Sequence, residues 1–174
     1  MKTNVILTLC IVFVWGLVAS FAQVQAGSPE DKAFQKIDAE NNPDAKVTLL
    51  LDFEKQFPQS KTALSLAYMQ LIQIYQQKND NSKIIEFGEK AINVKPDNID
   101  ALLAVTRAYS LDGKNASLDK AITYGQRCVE QLAKMKSMPP QQGKSDGEWK
   151  EYIASSDNLA QQYLSYAKAL RGTK

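Results

Sequence analysis

Histidine is absent from the 174-residue sequence, and cysteine occurs only twice. Without histidine the chain lacks the usual general base near neutral pH, the commonest metal ligand and any Ser-His-Asp arrangement. The cysteines are Cys10, inside an apolar N-terminal run, and Cys128. A chain that has lost that run can form neither an internal disulfide nor a Cys-x2-Cys metal or redox pair. No Gly-x4-Gly-Lys phosphate loop or Gly-x-Gly-x2-Gly fingerprint is present. Neither sign of charge dominates, with 21 basic and 19 acidic side chains, so the balance points to neither nucleic acid nor an anionic membrane as partner. Paired carboxylates are the one chemistry left open, as in glycoside hydrolysis. Asp44, Asp52 and Glu54, or Glu86 and Glu89, are the candidates, but all sit where a helix is expected to be solvated. The sequence is therefore expected to encode no enzyme and to hold no cofactor or metal.

What is present begins with an apolar run. Met1-Lys2-Thr3-Asn4 precedes uncharged, mostly apolar residues from Val5 to Phe21, which reads as a secretory signal. Ser20-x-Ala22 and Val24-x-Ala26 offer small-residue cleavage sites, the second followed by polar Gly27-Ser28-Pro29. Residues 1–26 are expected to be a signal peptide, with an uncleaved membrane anchor as the alternative; the run is short for a bilayer span. An exported chain follows, of a length that can bury a single-domain core without disulfides.

From residue 27 onward the pattern is helical. Ser28-Pro29 suits a helix start, with Ala33, Phe34 and Ile37 as an apolar side. Asn41-Asn42-Pro43-Asp44 breaks the chain, and Ala45 to Phe57 forms a second helix with Leu49, Leu50, Phe53 and Phe57 inward. Residues 27–60 thus form an N-terminal helical hairpin. It closes on Phe57-Pro58-Gln59-Ser60, and this Phe-Pro-x-Ser turn is similar to repeats of bacterial envelope proteins that assist outer-membrane assembly or coordinate the cell wall.

The clearest signal is a self-similarity. Tyr68-x2-Leu71-Ile72-x2-Tyr75 recurs 34 residues later (102 − 68) as Leu102-x2-Val105-Thr106-x2-Tyr109. Each copy places residues at i, i+3, i+4 and i+7, one helical face too small to be buried alone. Each copy is followed by a second apolar stripe, first Ile84, Phe87, Gly88, Ala91 and Ile92, then Ala121, Tyr124, Gly125, Cys128 and Val129. Phe87-Gly88-x-Lys90 and Tyr124-Gly125-x-Arg127 lie 37 residues apart (124 − 87), which puts three surplus residues in Asp112 to Ser117, a loop. Glycine costs helix stability, so two at one register predict a close helix crossing that a side chain would block. Residues 61–98 and 99–136 are two copies of one unit, and Pro96-Asp97 closes the first. Residues 137–147 have flexible linker composition. Residues 148–174 form one long helix in which Asn158-Leu159-Ala160-x2-Tyr163 repeats part of the pattern; it reads as a C-terminal cap, with an incomplete third repeat as the alternative.

This spacing resembles the tetratricopeptide repeat, with its W-x2-L-G-x2-Y, A-x3-F and terminal proline. The chain departs from that family by carrying glycine where an aromatic is usual. The resemblance implies an all-α fold of antiparallel helix-turn-helix units stacked as a right-handed superhelix. It also implies that the leading helices line a concave groove for a peptide or partner helix. The groove residues it implies are Leu66, Met69, Gln73, Gln76 and Gln77 from the first copy, and Asp100, Leu103, Arg107, Ser110 and Leu111 from the second. Sites where relatives clamp a C-terminal carboxylate with Lys and Asn here read Met69, Gln70, Gln73, Asp100 and Ala104, so that activity does not transfer. Cys128 is expected to be a packed small side chain, Tyr75 and Tyr109 hairpin packing residues with hydroxyls at the rim. Asn115-Ala116-Ser117 matches a glycosylation sequon that matters only in a eukaryote.

The expectation is a non-catalytic protein-interaction scaffold of the cell envelope, exported and most naturally periplasmic. It would bind a protein or peptide and no nucleic acid, with self-association a further use of exposed Leu and Met. The alternatives are an accessory subunit of an envelope or outer-membrane assembly complex, a carboxylate-based enzyme, or a fragment of a longer repeat protein.

Overall fold

The computed structural model describes residues 24–141 and 143–173; the expected signal peptide falls almost wholly on residues outside that range. Among the described residues the protein is all helical, with seven helices and no strand. They are α1 (Pro29–Ala39), α2 (Pro43–Gln56), α3 (Lys61–Gln77), α4 (Asn81–Val94), α5 (Ile99–Asp112), α6 (Asn115–Met135) and α7 (Asp146–Gly172).

Helix starts follow local chemistry. Ser28, Asn42, Asp80, Asn98 and Ser145 each accept a hydrogen bond from a backbone N–H in the following turn, which satisfies donors that the helix leaves unpaired. Pro29 and Pro43 occupy the first turns of α1 and α2, where a missing N–H costs nothing. At the other end of α5, Gly113 stops the helix at φ 68°, a left-handed conformation that glycine adopts without strain.

Two boundaries differ from those expected. The caps of α4 and α6, Asp80 and Lys114, are 34 residues apart (114 − 80), although the aromatics behind them are 37 apart. The three surplus residues therefore lie inside α6, as most of an added helical turn, and the connection is only Gly113-Lys114. Asn115, Ala116 and Ser117 are helical because the turn-forming composition of the segment is outweighed by continuation of a 21-residue amphipathic helix. At the C-terminal side, Asp146 and Gly147 belong to α7 rather than to the linker. There the Ser145 side chain accepts from the Glu148 N–H while the Glu148 carboxylate accepts from the Ser145 N–H, a reciprocal pair that starts the helix early.

Each helix packs chiefly on its neighbours in sequence. The further close backbone approaches are α3 with α5 and α5 with α7, so α7 rests on α6 and α5 as α5 rests on α4 and α3. Short connections force α4 to run back along α3, and α6 along α5. The core is continuous from Phe34 and Ile37 to Ala167. At its N-terminal end Phe34 meets Phe53 with ring centroids 4.6 Å apart, and Phe53 meets Phe57 at 4.8 Å. Within each copy one tyrosine stacks nearly parallel on the aromatic of the returning helix: Tyr75 on Phe87 at 5.6 Å, Tyr109 on Tyr124 at 6.0 Å. Offset stacking of this kind adds to the area that the rings bury. Both glycines lie at close crossings. A Cβ on Gly88 would collide with Val105, and one on Gly125 would come within 3.2 Å of Thr106 and 3.3 Å of Leu164.

Candidate functional site

The leading-helix positions split into two groups. On α3, Leu66, Met69 and Gln73 line a cleft of about 380 Å³ whose other wall is Val24, Asp31, Phe34 and Asp38. Leu66 is 50% exposed and supplies the main apolar surface there. Gln73 and Gln77 continue into a neighbouring polar depression with Asp38, Glu40 and Lys46. Gln70 donates to the Asp38 carboxylate across the two helices at 3.0 Å, which fixes the floor between them. Gln76 is exposed and lines neither depression.

The α5 positions are less uniform, and none lines those two depressions. Arg107 is exposed, Leu111 is 49% exposed and Leu103 is half-buried. Asp100 faces solvent but is already engaged, accepting from the Tyr152 hydroxyl of α7 at 3.2 Å. Ser110 is a correction to the groove set: it is 2% exposed and its hydroxyl donates to the Thr106 carbonyl one turn back at 2.7 Å. Its buried hydroxyl can serve no partner.

A larger cleft, about 700 Å³, lies along the first half of α7. Its helical wall includes Trp149, Ile153, Ala154, Asp157 and Gln161, and Lys136, Met138 and Pro140 from the segment after α6 form the opposite side. Ala154, Asp157 and Gln161 stand 88 residues after Leu66, Met69 and Gln73 (154 − 66, 157 − 69, 161 − 73), and Tyr163 stands 88 after Tyr75. Equivalent register positions on α3 and α7 thus line the two clefts. Lys136 pairs with Asp157 at 2.9 Å across the mouth. Trp149 is 5% exposed, stacks on Tyr152 with centroids 5.8 Å apart, and its indole N–H has no acceptor among the described residues. Sequence reasoning missed this cleft because its second wall comes from a Pro-containing segment with no periodicity. The partial repeat ending at Tyr163 was the available signal.

The acidic residues that might have done chemistry are instead paired. Asp44 meets Lys78, Asp52 meets Lys55, and Glu86 meets Lys83. Glu54 and Glu89 are corrections to the expectation of solvated helix faces. Glu54, on α2, accepts from the Tyr68 hydroxyl at 2.9 Å and from Lys90 at 2.9 Å. Glu89, on α4, accepts through one oxygen from Tyr109 at 2.7 Å, Tyr124 at 3.1 Å and Lys120 at 3.3 Å. Each carboxylate therefore joins a tyrosine on the next helix to a lysine on the one after. Burial alone would raise the Glu89 pKa, but the bonds from Tyr109, Tyr124 and Lys120 hold it below the ordinary carboxylate value. Burial and the Glu54 carboxylate push the Tyr68 phenol up. These bonds tie α2 to α3 and α4, and α4 to α5 and α6.

Cys128 is fully buried, and its thiol is pushed up to about 12, by burial first and by the Asp100 and Asp157 carboxylates after it. Tyr75 and Tyr109 are packing residues, and the Tyr109 hydroxyl is spent on Glu89. Among the described residues no three His, Cys, Asp or Glu side chains come together as a metal site, and no helix is long and apolar enough to cross a membrane. What the surface offers is concave, partly apolar and lined by amides and unlike charges. No protein-family model, curated protein or solved structure matches this chain, so the reading of its function rests on these clefts and on the internal repeat.

Proposed function

We propose that this protein is an exported, non-catalytic interaction scaffold of the cell envelope. Its helix pairs would stack in the manner of tetratricopeptide repeats, as a right-handed superhelix whose leading helices α3, α5 and α7 line a groove that takes an extended peptide or a partner helix. The observation that carries this reading is the register relation: the same three positions of the repeat line a cleft on α3 and again on α7. Between them, α5 contributes Leu103 and Arg107 at the corresponding places. Leu66, Met69 and Met138 would give adaptable apolar contact. Gln73, Gln161 and Asp157 would set register through hydrogen bonds, and Arg107 would take a carboxylate bidentately. The apolar leader favours a periplasmic setting.

The test is crosslinked affinity capture from the host's envelope extract, comparing the wild-type chain with a Met69→Glu, Arg107→Glu double variant and with an Asn93→Glu control at an exposed position of α4. Both variants are first confirmed to be as helical as the wild type. A dominant protein captured by wild type and control but lost by the double variant supports the groove. Equal capture by all three, or none, would discard it.

A further inference from the structure

The internal repeat also identifies a helix face that no other described residue covers. Leu71 and Val105, at equivalent positions of α3 and α5, are completely buried, while Tyr75 and Tyr109 four residues later stack on aromatics of α4 and α6. The equivalents on α7 are Leu159 and Tyr163, and no eighth helix follows among the described residues. Leu159 is accordingly 40% exposed, and Tyr166, on the same face, is 48% exposed. With half-buried Tyr163 and Leu170 they form one stripe on the flank of α7.

We infer that this stripe pairs α7 with α7 of a second copy of the chain, antiparallel about a two-fold axis. The spacing of Leu159, Tyr163, Tyr166 and Leu170 is 4, 3, 4, which reads the same in both directions. A two-fold axis between residues 164 and 165 sets Leu159 against Leu170 of the second copy and Tyr163 against Tyr166. Such self-complementarity is what an isologous contact requires. Charge agrees with it. Ser155, Gln162, Ala169 and Thr173, which flank the stripe on its solvent side, are all uncharged, so the face can meet its own copy without setting like charges together. Of the charged residues of α7, Asp157 faces Lys136 and Arg171 bonds Asp119 of α6 at 2.7 Å, while Glu148 and Glu151 stand N-terminal to the stretch that pairs. Antiparallel pairing also opposes the two helix dipoles. Four partly exposed side chains are a small area beside the roughly 800 Å² per partner of a stable standard interface, so the dimer is weak and concentration-dependent.

Two measurements on the full chain test this. In sedimentation velocity over a concentration series, the wild type should shift from one chain toward two. A Leu159→Glu, Tyr166→Glu double variant, both positions being solvent-accessible, should remain at one, and a Leu66→Glu control should behave as wild type. In a Cys10→Ser background, with Cys128 buried and inert, oxidation should crosslink a Leu159→Cys, Leu170→Cys double variant into covalent dimers. Either single substitution should give at least tenfold less, because antiparallel pairing sets 159 against 170 and holds like positions several turns apart. A chain that stays single at all concentrations overturns the inference. So does association untouched by the glutamates, or crosslinking as strong in the single variants as in the double one.

Discussion

Gly88 of α4 lies against the Val105 Cγ1 methyl of α5, so close that a Cβ at position 88 would stand 2.3 Å from it. Val105 is completely buried and β-branched, and in a helix such a side chain has one strongly preferred rotamer. It cannot swing away. Gly88→Ala should therefore destabilise the protein by about 1–3 kcal/mol, even though alanine is the better helix former by about 1 kcal/mol. Gly125 differs in degree, because its nearest neighbours, Thr106 and Leu164, would be tight against a Cβ without colliding. Gly125→Ala should stay within about 1 kcal/mol of wild type. Urea denaturation of both variants checks the contrast, and Val105→Ala combined with Gly88→Ala should recover part of the loss.

Glu89 ties three helices through a single carboxylate oxygen. Replacing it with glutamine keeps the shape but removes the charge that Tyr109, Tyr124 and Lys120 share. Since the group is partly exposed, Glu89→Gln should cost only about 1–2 kcal/mol near neutral pH.

The same carboxylate sets a pH dependence. Its folded pKa lies below the ordinary value of 4.5, so the unfolded chain binds the proton first as acid is added. The stabilisation is complete above the ordinary value and declines as pH falls through the lower folded one. The stability gap between wild type and Glu89→Gln should accordingly narrow as pH falls below the ordinary carboxylate value, as read from urea midpoints across an acid series.

Trp149 combines a well-buried ring with an unpaired N–H. Trp149→Ala should cost about 3–5 kcal/mol through the cavity it leaves. Trp149→Phe keeps most of the ring and removes the unsatisfied donor, so it should fall within about 1 kcal/mol of wild type. Chemical denaturation of the two variants distinguishes these outcomes.

For Cys128 the expected result is inertness. A thiol pushed up to about 12 from 9.0 has roughly a thousandfold less thiolate at neutral pH than an ordinary cysteine, and its sulfur is closed to solvent. Labelling by a thiol-reactive dye should follow opening of the fold and accelerate with denaturant, with a native rate orders of magnitude below that of the unfolded chain.

Much of the helix order was legible because the punctuation was chemical. Ser28-Pro29 and Asn42-Pro43 punctuate the starts of α1 and α2, and the 34-residue spacing relates α3 to α5. The added turn of α6 was hidden by Gly113-Lys114-Asn115, whose composition suits a loop as well as a helix start. The roles of Glu54 and Glu89 were not legible at all. Their partners lie 14 to 36 residues away on two other helices, and no periodicity within one helix reports such pairs. That Leu66, Met69 and Gln73 stand together along α3 was implied by the resemblance. The burial of Ser110 was not, because serine at a helix position is compatible with either face.

The neighbour-only packing of the helices has a kinetic consequence. Nearly every native contact joins segments adjacent or next but one in the chain, so folding closes only short loops and each closure is rewarded at once by burial. Chains of low relative contact order fold in microseconds to milliseconds, and this one belongs to that class. Order is expected to spread from the α3 to α7 segment, where contact between successive helices is densest. α1 meets the rest through few residues, so it should join last and exchange its amide protons first.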